Sequence, residues 1–346
     1  MAGMFAAPLP PALETPPAVE AVLPDAKSPG DLADLPLLAD PDRTLPPAFE
    51  GLAAAGLPQA EGAGPGRSRT VDRTDDFRRL YDGARAGSLA EPAAAKEYEF
   101  LLVPGFMWDF TPRMFGPNID ELRSMGIRTR FVRVHSMGEV QRNARIVARA
   151  IERSTAKKVV LVTHSKGGLD AMQALADRPD LVSKVAAFVA IQTPFDGVAL
   201  AAPLRYWPRL RVAIQAAARL IRHQWRGLST LFDDAIGDML RRADSADHPP
   251  QVPRLVSIVS ELGRDAPKAF LPLRLVRAVS KWATGKDSDG FIRPEEAVLP
   301  GSEVIRLPGM SHADPVLRLS PLGRPVYDAR ALTRAVVSFL FPEPVR

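Results

Sequence analysis

The sequence contains no cysteine, which removes disulfides, thiol nucleophiles and thiolate metal sites at once. It also lacks any apolar run approaching the roughly 18 residues that a membrane-crossing helix requires. There is no concentrated basic tract. The 45 Lys and Arg are scattered among 40 Asp and Glu, for a net charge of +5, so nucleic acid is not an expected partner. The N-terminus, MAGMFAAPLPPALETPP, has no basic region, and proline interrupts its apolar run. No secretory signal is expected there, and a cytoplasmic location is.

What is present divides near residue 68. Residues 1–68 are rich in Pro, Ala, Gly and acids, as in LPDAKSPGDLADLPLLADPDRTLPP. That composition offers little periodic apolar surface, so a disordered tail is expected, with Leu32 to Leu38 the one stretch suited to docking. From residue 69 to 346 the pattern is that of a folded domain. It starts with one amphipathic helix, DDFRRLYDGARAG. Short apolar runs then alternate with helical stretches: EFLLV (99–103), TRFVRV (129–134), KKVVLVT (157–163), VSKVAAFVAI (182–191), RLVSIVS (254–260) and SEVIRL (302–307). Continuously apolar strands separated by helices predict an α/β fold, a mostly parallel sheet covered on both faces. Between about 196 and 250 the alternation stops for a helical insert.

One junction carries chemistry. In VVLVTHSKGGLDAM (159–172) an apolar strand runs straight into a helix through T-H-S-K-G. A serine on such a turn is forced into a strained backbone conformation, so the residues two positions away must be small. Gly167 meets that need, Gly168 lets the helix approach the sheet, and Thr163 stands where glycine is commoner. The turn would project the Ser165 hydroxyl from the sheet edge and aim the Lys166 amide into the same space. A second amide donor is expected from the loop after an earlier strand, and LLVPGFMWDF supplies Phe106 after Pro104-Gly105, with Met107 and Trp108 beside it.

A serine hydroxyl needs a base. Of five histidines, His164 is on the turn itself, His135 precedes the serine, and His223 and His248 lie in the helical insert. His312, in LPGMSHADPV after the last strand, is the candidate. The orienting acid should lie between the two. Asp289 in KDSDGFIRPEEA is preferred because a Ser-Asp-Gly turn fixes its carboxylate; Asp265 in ELGRD is the competitor and Asp196 in TPFDG a weaker one.

Together, Ser165 in THSKGG, Phe106 after PG, Asp289 in SDGFI and His312 in MSHAD resemble the bacterial lipases and carboxylesterases of the α/β-hydrolase fold, over roughly residues 97 to 341. The resemblance implies a serine hydrolase of carboxylic esters that forms an acyl-enzyme. Ser165, Asp289 and His312 would be its triad and the Phe106 and Lys166 amides its oxyanion hole. Thioester, amide and polyester cleavage share that machinery, and a catalytically silent binding protein is the rival of another class. No cofactor is implied. The one ion the resemblance admits is a structural calcium at Asp314, two residues after His312. The insert at 196–250 falls where this fold carries a cap. It is read either as helices with a solvated basic face or as a lid whose Trp207, Leu210 and Trp225 line a cleft with Met107 and Trp108 for an ester or lipid-like substrate.

Overall fold

The computed structural model describes residues 70–106, 108–111, 113–197, 250–263, 285–317 and 326–342, with 273, 274, 277, 278 and 281. The expected tail at 1–68 and nearly all of the insert at 196–250 lie outside the described residues, as do Met107, Trp207, Leu210, Trp225 and Asp265.

Among the described residues seven strands form one sheet in which every pairing is parallel. In chain order the elements are β1 (Val71–Asp72), α1 (Thr74–Ala86), β2 (Glu99–Val103), α2 (Gly116–Ser124), β3 (Arg128–Phe131), α3 (Val140–Glu152), β4 (Val159–His164), α4 (Lys166–Asp177), β5 (Val185–Ile191), β6 (Arg254–Val259), β7 (Glu303–Arg306) and α5 (Ala329–Leu340). The strand order is β1-β7-β6-β5-β4-β2-β3.

Side chains alternate across each strand, so β2 sends Phe100 and Leu102 to one face and Leu101 and Val103 to the other. The first face packs on α1, α2 and α5 through Phe77, Leu122 and Leu332. The second packs on α3 and α4 through Val147, Ile151 and Met172. A sheet covered on both faces explains why β4 is buried at all six positions and reads as a continuous apolar run.

The expected strand at 129–134 ends early, at Phe131. Val132 still donates to the Leu102 carbonyl at 2.9 Å. Beyond it the Val134 carbonyl accepts from the Trp108 indole instead, also at 2.9 Å. The two-residue β1, paired with β7, had no periodicity by which it could be foreseen.

The order places β3 on one side of β2 and β4 on the other. The chain therefore leaves β2 and β4 in opposite directions, and the crevice at their carboxyl ends is a topological switch point, where open parallel sheets bind ligands. The chain after β2 begins Pro104-Gly105; the chain after β4 begins with Ser165.

Candidate active site

Ser165 has φ 52° and ψ −133°, outside the regions an L-residue normally occupies and a strain on the order of 1–3 kcal/mol. Its amide donates to the Ile191 carbonyl at the end of β5 (2.9 Å), and its carbonyl accepts from Gly168 (3.0 Å), so neighbours on both sides hold the conformation. Two glycines make the turn buildable. A methyl group on Gly167 would collide with the Val103 and Pro104 carbonyls, and one on Gly168 with the Thr193 side chain. Thr163, where glycine is commoner, is accommodated inside β4. It is fully buried and donates its hydroxyl to the Val189 carbonyl at 3.2 Å.

The chain after β2 passes directly over the serine. A methyl on Gly105 would come within 2.8 Å of the Ser165 Cβ. Phe106 follows immediately, and Lys166 opens α4, where a backbone N–H has no acceptor within the helix. Trp108 anchors this loop sideways, with its indole on the Val134 carbonyl and its ring 5.1 Å from that of Phe131. The Lys166 side chain turns inward. Its ammonium meets Asp170 at 2.6 Å with both side chains 1% exposed, and Asn143 donates to the other Asp170 oxygen at 2.9 Å. Asn143 also clasps the His135 backbone in both directions (3.0 and 2.9 Å). Losing one member of such a pair leaves an uncompensated buried charge, a cost of about 3–5 kcal/mol.

His312 and Asp289 meet at 2.8 Å, Nδ1 to Oδ2. A carboxylate only accepts, so Nδ1 carries a proton in this bond. The Asp289 side chain is 1% exposed and that of His312 12%. The other oxygen of Asp289 accepts the amides of Phe291 (2.8 Å) and Ile292 (2.9 Å). The His312 amide donates to the Asp289 carbonyl at 2.9 Å. Arg277, bonded to both carboxylate oxygens of Asp287, braces the start of the turn.

The two halves join through His164. Its Nε2–H donates to the His312 carbonyl at 2.8 Å, and the two rings lie 4.7 Å apart. Gln192, itself at φ 50°, ties the neighbouring Ser311 carbonyl to the end of β5 at 3.2 Å. His164 is thus the residue that sequence reasoning passed over. No local pattern tells that its partner lies 148 residues onward.

Burial, reinforced by the field of His312, pushes the pKa of His164 down from 6.5 to about 3. Between those values the unfolded chain binds a proton that the folded protein does not, so stability falls as pH falls through that window, by about 1.4 kcal/mol per unit. Thermal unfolding of the wild type from pH 7 to 4 should therefore show a steeper loss than His164→Gln, which has no such proton. Equal slopes would contradict the neutral, buried imidazole.

Asp196 is exposed in the loop after β5, its amide bonded to the Glu296 carbonyl at 3.1 Å. Asp314 is turned into its own loop, where its carboxylate accepts the Ser311 amide at 2.9 Å and burial raises its pKa. Among the described residues no group of three or more His, Cys, Asp or Glu could hold a metal ion. Through its bond to the Ser311 amide Asp314 closes the histidine loop. No helix among the described residues is long and apolar enough to cross a membrane.

No protein-family model and no curated protein matches the sequence. Solved structures do. A metagenomic carboxyl esterase, MGS0156, superposes with a TM-score of 0.64 at 20% identity, over 84% of this chain and 98% of its own. The Bacillus licheniformis lipase BlEst2 in mature form gives 0.47 at 17% identity, over 72% and 92%. Lipase 1 from Pelosinus fermentans gives 0.47 at 12%, over 72% and 100%. The chain has the α/β-hydrolase fold. The strand-to-helix turn at the switch point of this sheet is the one that holds Ser165.

Proposed function

We propose that this α/β-hydrolase is a serine hydrolase of carboxylic esters that works through an acyl-enzyme. The observation that carries the reading is the Asp289–His312 pair, bonded at 2.8 Å and tied through His164 to the strained turn that holds Ser165. The match over nearly the whole of a carboxyl esterase supports the same reading.

Ser165 Oγ attacks the ester carbonyl carbon while His312 Nε2 takes its proton. Asp289 holds the ring in the tautomer that leaves Nε2 unprotonated, and stabilises the imidazolium that forms. The Phe106 and Lys166 amides donate to the oxyanion, each contributing about 3 kcal/mol to the barrier reduction. Collapse breaks the ester bond, and His312 returns the proton to the departing alcohol. Water, deprotonated by His312, then attacks the acyl-enzyme. The acid leaves and Ser165 recovers its proton.

A panel of p-nitrophenyl esters from acetate to palmitate tests this reading. We expect a burst of p-nitrophenolate equal to the enzyme concentration for at least one chain length. Thioester and amide analogues of that acyl group should react more slowly. If no ester in the panel is hydrolysed, the reading fails and a silent binding protein takes its place.

A further inference from the structure

Phe291 stands out as an apolar ring that folding leaves in the open. Among the described residues only two large hydrophobic side chains are exposed, and one is Phe291 at 36%. Its position is not incidental. Its amide is bonded to Asp289 Oδ1, and the preceding Gly290, at φ 115°, lies so close to Leu273 that a methyl there would stand 2.9 Å from the Leu273 Cβ. The backbone on that side of Phe291 is therefore held by the acid turn itself. The ring then lies 5.4 Å from the His312 imidazole at 64°, edge against face.

The chemistry at His312 says what passes this ring. The imidazolium hands its proton to the leaving oxygen, so the alcohol part of the ester must sit beside His312 when the tetrahedral intermediate collapses. The acyl part is bonded to Ser165 and is fixed by the oxyanion donors. We propose that Phe291 forms the contact surface for the alcohol portion of the substrate, so that the enzyme prefers esters of bulky apolar or aromatic alcohols to methyl esters. This rests on the ester-hydrolase reading above. It assigns Phe291 to leaving-group selection and not to chain-length selection. An aromatic ring offers a flat apolar contact of large area, and a hydrophobic contact of this kind typically discriminates by about 10-fold or more.

The test uses two ester series on the full chain, wild type and Phe291→Ala, with Phe291→Leu as a second variant that keeps apolar bulk. One series fixes a hexanoyl group and varies the alcohol through methyl, hexyl and benzyl. The other fixes p-nitrophenol and varies the acyl chain. We expect the benzyl-to-methyl ratio of kcat/KM to fall about 10-fold in Phe291→Ala and to fall less in Phe291→Leu. The deacylation rate common to the hexanoyl series and the ratios within the acyl series should be retained. An unchanged benzyl-to-methyl ratio overturns the assignment, and so does an equal loss on every ester, which would make Phe291 a mere prop for His312. If neither wild type nor variant hydrolyses any ester and a fluorophosphonate fails to label Ser165, the function itself is refuted and this inference with it.

Discussion

Ser165→Ala should abolish ester hydrolysis, by up to about a million-fold, and leave the fold in place. The variant removes the bond-forming atom, and members of a triad act as a unit, so the whole contribution of the machinery is lost with one of them. The fold should tolerate the change because the backbone at Ser165 is held by Ile191 and Gly168, not by its hydroxyl. Relief from no strain is expected either, since alanine has a Cβ and meets the same φ of 52°. The measurement is steady-state hydrolysis beside a melting curve. A variant that kept a tenth of the rate would place the nucleophile elsewhere.

Asp289→Asn should be the second most damaging change. The asparagine amide group in place of Oδ2 would present a donor to Nδ1, so the ring would be stabilised with its proton on Nε2 and its base pointed the wrong way. In a serine protease that tautomer error costs about 10⁴-fold, and a loss of at least 100-fold in kcat is expected here. The carboxylate is buried and takes two backbone amides on its other oxygen, so each variant must be checked for folding. Asp196→Asn and Asp265→Asn should lose far less. The exposed Asp196 takes part through its amide in a contact with Glu296. If Asp265→Asn were instead the crippled protein, the acid would belong to the chain after β6, and the bond between Asp289 and His312 would be structural.

The parts of this site that could be read from the sequence are those whose causes are local. The turn at Ser165 compresses a strand, two close-approach glycines and a helix start into a few residues, and each leaves a mark in the composition of THSKGG. The Ser-Asp-Gly turn at Asp289 is local in the same way, since its carboxylate is held by amides two and three residues on. That turn is what favours Asp289 over Asp265 and Asp196, which also lie between Ser165 and His312, and the likeness to known lipases points to the same residue. The unread parts are contacts between distant segments. The bond that anchors the Trp108 indole, on the Val134 carbonyl 26 residues onward, is one such contact. His164 is bonded to the carbonyl of His312, and Lys166, which looks like a surface residue in sequence, is buried against Asp170. No periodicity or turn chemistry reports such pairings, because the partner is set by tertiary packing. The fold followed the same division. The apolar strands were legible because both faces of the sheet are covered, whereas β1, two residues long, is defined only by its register against β7.

Covalent trapping tests most directly whether Ser165 is an activated nucleophile. The full chain is incubated with a fluorophosphonate, which phosphonylates a serine only where a base removes its proton and donors stabilise the oxyanion. Intact mass and peptide mapping then locate the adduct. One adduct per chain is expected, on Ser165, absent in Ser165→Ala and strongly slowed in His312→Ala. A folded wild-type protein that takes up no label, or that is labelled at another residue, would contradict that role for Ser165.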